Sequence, residues 1–70
     1  SIEELKVGQA EVNDARPFAI NAKVAHMIWG EGLVLRYEGD KMVVLFDGVG
    51  YKTLAVDLVL ARSLLQLVSV

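Results

Sequence analysis

The sequence predicts an all-β fold: a small, five-stranded, strongly bent antiparallel barrel with a short helical turn before its last strand and an N-terminal arm. Three observations carry that prediction. Turn signals recur at short intervals, at Gly30-Glu31-Gly32, Glu38-Gly39-Asp40 and Asp47-Gly48-Val49-Gly50, and each closes a β-rich run. The runs alternate as pleated strands do, with Met42, Val44 and Phe46 on one face and Lys41, Val43 and Leu45 on the other. The glycine spacing also excludes a helical bundle, and short strands joined by tight turns suit a small barrel.

Residues 1–16 are polar apart from Ile2, Leu5, Val7 and Val12, and they contain Gly8 and Asn13-Asp14. Ser1 and Glu4 fit a capping box for one helical turn. Residues 1–20 are expected to form an arm or linker and 21–70 the barrel domain, with Pro17 biasing Arg16 towards extended geometry at the approach to the body. The strands are expected at about 22–28, 33–37, 41–46 and 51–56. Gly39 supplies the positive φ that a tight hairpin needs between the second and third. Asp57 is expected to cap a turn through Leu58-Val59-Leu60, and 64–68 to return as the fifth strand. On the second strand simple alternation sets Val34 and Arg36 against Leu33, Leu35 and Tyr37. The faces away from the core stay apolar at Leu33, Leu35, Val43 and Leu45, which predicts a second buried surface.

Seventy residues allow one domain with a thin stability margin and little room for a deep cleft. The absence of cysteine removes disulfides, thiolate catalysis and thiolate zinc sites, and it suits a reducing compartment. No apolar run approaches the roughly 20 residues needed to span a bilayer. A cytoplasmic protein with no membrane contact is expected. Charge divides unevenly: residues 1–15 set Glu3, Glu4, Glu11 and Asp14 against Lys6, net −3, while residues 16–70 are net +1. A stand-alone nucleic-acid binder shows a more basic face than this. The chain begins at Ser1 and is more apolar than small free domains, which points to a piece of a larger protein.

The motifs offer little catalytic chemistry. Trp29-Gly30-Glu31-Gly32 lacks the third glycine and following helix of a dinucleotide fingerprint, so Gly30 and Gly32, like Gly39 and Gly50, read as structural turn residues. His26 is the single histidine; a packed residue tying down a loop through one ring nitrogen outweighs a general base. Glu38, Asp40 and Asp47 fall in turns, where acidic residues are ordinary. No catalytic residue, metal site, cofactor or small-molecule substrate is predicted. Trp29, Tyr37 and Tyr51 suit cation cages or base-stacking platforms, or else core and interface packing. Lys23, Arg36, Lys41 and Lys52 could supply phosphate contacts, or simply keep a sheet edge soluble.

The run from Val24 to Leu60 resembles the small C-terminal barrel of bacterial DNA helicases. The resemblance rests on Val24-x-His26, on Trp29-Gly30-x-Gly32 with Val34, and on the acidic hairpin Glu38-Gly39-Asp40. Val44-x-Phe46-Asp47 and Lys52-x-Leu54 complete it. UvrD and PcrA helicases carry a related Tudor-like, Src-homology-3-like barrel, and the ending from Phe46 to Ala55 is more similar to the C-terminal extension of some RecQ-like helicases. The match covers about residues 21–66. Ala25 stands where a basic residue is common. The resemblance implies a non-catalytic accessory domain of an ATP-dependent DNA helicase acting in DNA repair or recombination. ATP and magnesium would then belong to motor domains outside this sequence, which has no Walker-type Gly-Lys-Ser/Thr. It also implies contacts with the motor domains or with a partner such as RNA polymerase, and a DNA-positioning role as the alternative. Trp29, Tyr37, Tyr51 and Lys52 are the expected contacts, joined by Arg36, Lys41 and Lys23 if DNA is bound.

Overall fold

Among the described residues five strands and one helix follow in the order β1 (Lys23–His26), β2 (Gly30–Glu38), β3 (Lys41–Phe46), β4 (Gly50–Ala55), α1 (Val56–Arg62) and β5 (Leu65–Leu67). The computed structural model describes residues 16–68; most of the expected arm, including the capping box at Ser1, lies outside them. All strand pairs are antiparallel and form one sheet in the order β4-β3-β2-β1-β5. The edge strands β4 and β5 do not pair with each other.

Each expected strand is present, with shifted ends. The turn expected at residues 30–32 lies earlier, at residues 27–29, and β2 already begins at Gly30. Gly30, Gly39 and Gly50 have φ of 80°, 60° and 83°. Gly39 alone carries a positive φ in its two-residue loop, the pattern of a type II′ hairpin turn. Gly32 serves a different purpose inside β2. A Cβ there would lie 2.8 Å from the Leu45 carbonyl oxygen and 2.8 Å from the Phe46 ring. Phe46 is its cross-strand partner, so the missing side chain makes room for the aromatic ring.

The core is one cluster of Val24, Val34, Met42, Val44, Phe46, Val59 and Leu65, with Phe18, Trp29, Tyr37, Leu54, Val56 and Leu64 packed around it. Each large side chain withdrawn fully from water contributes about 1.5–3 kcal/mol. Simple alternation fails on β2. A register shift between Val34 and Arg36 leaves Leu35 as an extra residue, so Val34 opposes Val44, Arg36 opposes Val43 and Tyr37 opposes Met42. Tyr37 therefore joins Val34 on the core face and Arg36 moves to the outer face, the reverse of the expected assignment. On that outer face Val43 is buried and Leu33, Leu35 and Leu45 are half-buried.

The helix is longer than the single turn expected, and Asp57 does not cap it. Ala55 occupies the N-cap position with no side-chain bond, and Asp57 lies in the first turn, where its charge suits the helix dipole. Ser63 closes the other end in a left-handed conformation, its N–H donating to the Val59 carbonyl. Val59 is the one buried residue of the helix and fixes it to the core.

Residues 16–22 are bound to the sheet. The Tyr37 hydroxyl accepts from the Phe18 N–H at 3.1 Å and donates to the Phe18 carbonyl at 2.7 Å. Asn21 N–H donates to the Val34 carbonyl and Val34 N–H to the Ala22 carbonyl, while Val68 N–H donates to the Lys23 carbonyl at 2.9 Å. Tyr37→Phe removes both hydroxyl bonds at once and is expected to cost about 1–2 kcal/mol. Faster amide exchange at Phe18 and a lower denaturant midpoint are the readouts.

Candidate interaction surface

The β1–β2 turn is built around His26. Its Nδ1 accepts hydrogen bonds from the backbone N–H groups of Ile28 (3.1 Å) and Trp29 (3.3 Å), which places the neutral ring's proton on Nε2. This is the loop-tying role expected of a lone histidine. The His26 and Trp29 rings stack with centroids 4.3 Å apart, and both meet Phe46 edge-on, at 5.9 and 5.4 Å. Lys52 Nζ lies 4.9 Å from the Trp29 ring centroid, a cation–π contact. A locked turn results, anchored on the core through Phe46.

The locked turn presents two apolar side chains to water. Met27 is 97% exposed and Ile28 80%. Sequence reasoning passed over them, because apolar residues beside a strand read as its continuation. The available signal was their position between His26 and the Trp29-Gly30 pair, where a turn leaves no core for them to face.

The sheet divides the expected contact residues between two faces. Trp29, Tyr37 and Lys52 lie on the core side: Trp29 and Tyr37 pack against the core, and Lys52 opposes the buried Val44. Tyr37 is further committed through its hydroxyl bonds and the Arg16 guanidinium, 4.9 Å from its ring centroid. Tyr51, Lys23, Arg36 and Lys41 share the outer face. One cross-strand row there runs Lys23, Leu33, Leu45, Tyr51, and a second runs Arg36, Val43, Thr53. Tyr51 is 69% exposed. Arg36 forms an ion pair with Glu38, and Lys41 Nζ lies 3.1 Å from Asp40 Oδ1.

Lys41 also sets the titration of Asp40. Its hydrogen bond, and then its charge, hold the Asp40 carboxyl below the usual carboxylate range. A carboxylate with a lowered folded pKa contributes stability above its unfolded pKa and loses it as pH falls through the folded value. Both side chains are exposed, which keeps that contribution small. Lys41→Ala is expected to return the Asp40 midpoint upward to the ordinary range in an NMR carboxyl titration, with little change in thermal stability.

Cavities are shallow. One of about 250 Å³ is lined by Arg16, Tyr37, Gly39, Asp40, Val56 and Asp57. Another of about 240 Å³ is lined by Ala25, His26, Met27, Ser63, Leu64 and Gln66. Both fall below the usual size of small-molecule sites. Among the described residues no three His, Cys, Asp or Glu side chains cluster as metal ligands, and no helix is long and apolar enough to cross a membrane. In comparisons with known proteins, no family model matches the chain and no curated protein matches it.

Proposed function

We propose that this chain is a non-catalytic interaction module, an Src-homology-3-like or Tudor-like small barrel serving as accessory domain of a RecQ-like ATP-dependent DNA helicase in repair or recombination. The motif order from Val24 to Leu54 and a sheet in which a short helix leads to a last strand beside the first both support that assignment. The observation that carries the interaction role is the Met27-Ile28 tip. Two large apolar side chains stand in water on a backbone already fixed by His26. Holding such residues rigid lowers the ordering cost of binding, and burying them on a partner supplies affinity. The partner is a protein surface, either the motor domains of the same helicase or RNA polymerase.

The experiment is chemical-shift mapping of the 70-residue chain against RNA polymerase, a RecQ-like motor fragment, single-stranded DNA and duplex DNA. Shifts centred on residues 26–30 with a protein partner are expected, persisting at high salt and lost in a Met27→Ser, Ile28→Ser double variant. Both positions are exposed, so that variant keeps its fold. No response at the tip to either protein would end the proposal.

A second reading, DNA positioning, is favoured by one observation: Tyr51, Lys23, Arg36 and Lys41 share the outer face. Shifts would then centre on these residues, and affinity would fall with salt at a log–log slope of roughly −3 if three cations meet phosphates.

A further inference from the structure

The two edges of the sheet are not equivalent. β5 has three residues, while β4 runs for six, from Gly50 to Ala55. Short edge strands are protected against pairing, and longer ones are normally blunted by proline, by a bulge or by outward charge. β4 has no proline, its register against β3 is regular from end to end, and its one charged side chain, Lys52, is turned to the core face over Trp29. Among the described residues nothing pairs with its outer edge.

Which backbone groups face outward follows from one hydrogen bond. Val56 N–H donates to the Asp40 carbonyl at 2.9 Å, and Ala55 opposes Lys41, so Val56 and Asp40 form a hydrogen-bonded pair. Antiparallel pairs alternate between bonded and non-bonded. Leu54, Lys52 and Gly50 therefore bond to β3, while Ala55, Thr53 and Tyr51 turn their N–H and C=O groups away from it. The same alternation holds across β3. Asp47 N–H donates to the Glu31 carbonyl, which makes Leu33 and Leu45 a bonded pair and points the groups of Leu45 towards β2.

We infer that β4 pairs edge to edge with β4 of a second copy of this chain, antiparallel, with Thr53 on the twofold axis. This register matches every outward-turned group with its complement: Thr53 opposes Thr53 of the second copy, and Tyr51 opposes Ala55. Threonine pairs are favourable across strands, and the exposed Tyr51 ring gains a small residue to lie over. Centring the pair on Lys52 instead would set two ammonium groups face to face. Centring it on Leu54 would leave Tyr51 without a partner. A contact in which the same surface serves both copies is the form that closes as a dimer rather than growing into a fibre. The joined sheet continues the outer-face row from Leu33 and Leu45 through Tyr51 across the seam.

A seam of this length buries little surface, so the dimer is weak and populated at high micromolar concentration. Sedimentation equilibrium of the 70-residue chain should show the 7.7 kDa mass doubling as concentration rises. Thr53→Pro removes an outward N–H that β3 does not use, and Thr53→Lys sets like charges on the axis. Either should hold the mass at the monomer value with the circular dichroism spectrum retained; should Pro disturb the strand, Lys carries the test. Because the chain has no cysteine, register can be read by cross-linking. Under oxidation Thr53→Cys should form a disulfide dimer, and Tyr51→Cys should cross-link when mixed with Ala55→Cys but not alone. A monomer mass up to about 1 mM, where only associations weaker than about 4 kcal/mol escape detection, overturns the inference. So does a dimer that Thr53→Lys leaves intact, or one in which the Thr53→Cys bond fails to form. None of these results bears on the Met27-Ile28 tip.

Discussion

Phe46→Ala is expected to destabilise the fold by about 3–5 kcal/mol, the range for deleting a buried aromatic ring. The side chain is 1% exposed and is the largest of those fully buried. A chain of 70 residues has roughly 4–10 kcal/mol of total stability, so the variant gives up a large part of it. The loss reaches beyond the core, because Phe46 is the surface against which Trp29 and His26 are set. Trp29 is the single tryptophan, so its emission should shift to longer wavelength in the variant even under conditions where the sheet survives. Urea unfolding followed at both Trp29 and the far ultraviolet is the measurement. A cost below about 1 kcal/mol would show that Phe46 is not the centre of the core.

Gly32→Ala is expected to cost about 1–3 kcal/mol by overpacking. The added methyl would meet the Leu45 carbonyl and the Phe46 ring, both at 2.8 Å, and Val44 Cγ1 at 3.0 Å. The carbonyl belongs to the strand ladder and cannot retreat without loosening it. For a domain of this size each kcal/mol corresponds to about 4–8 °C in melting temperature. Gly30→Ala is the informative contrast. Nothing lies within 4 Å of its added Cβ, yet φ is 80°, so the roughly 1–2 kcal/mol cost there is backbone strain. A smaller residue at position 46 should relieve part of the first defect and none of the second. In a double-mutant cycle Gly32→Ala with Phe46→Leu should therefore couple, while Gly30→Ala with Phe46→Leu should add. Equal coupling in both cycles would contradict the steric explanation.

Local chemistry was readable from the letters, and non-local geometry was not. The Gly39 hairpin, the succession of five strands along the chain, a helical segment before the last of them and the tethering role of His26 all depend on residues within a few positions of one another. The face assignment on β2 failed because alternation assumes an unbroken pleat. The extra residue at Leu35 is set by how β2 meets β3 across the sheet, and it reverses Arg36 and Tyr37 together. The same limit dispersed the expected contact residues. The split of Tyr51 from Lys52 is ordinary alternation along β4, but the meeting of Lys52 with Trp29, and the parting of Tyr37 from Tyr51, depend on how separate strands pair. Helix α1 was underestimated because Val56 and Val59 favour strands locally; the docking of Val59 into the core overrides that preference.

The chain passes into β1 beside the place where it leaves β5, with the Val68 amide resting on the Lys23 carbonyl. Residues 22 and 68 therefore lie side by side, while residues 16–21 run on across the sheet to Tyr37. A body closed in that way can be reopened elsewhere, provided that the join leaves the segment over Tyr37 in place. A permutant cut at the exposed Asp47–Val49 turn, with a flexible linker from residue 68 to Arg16 that leaves the Phe18–Tyr37 contacts in place, should keep the sheet order.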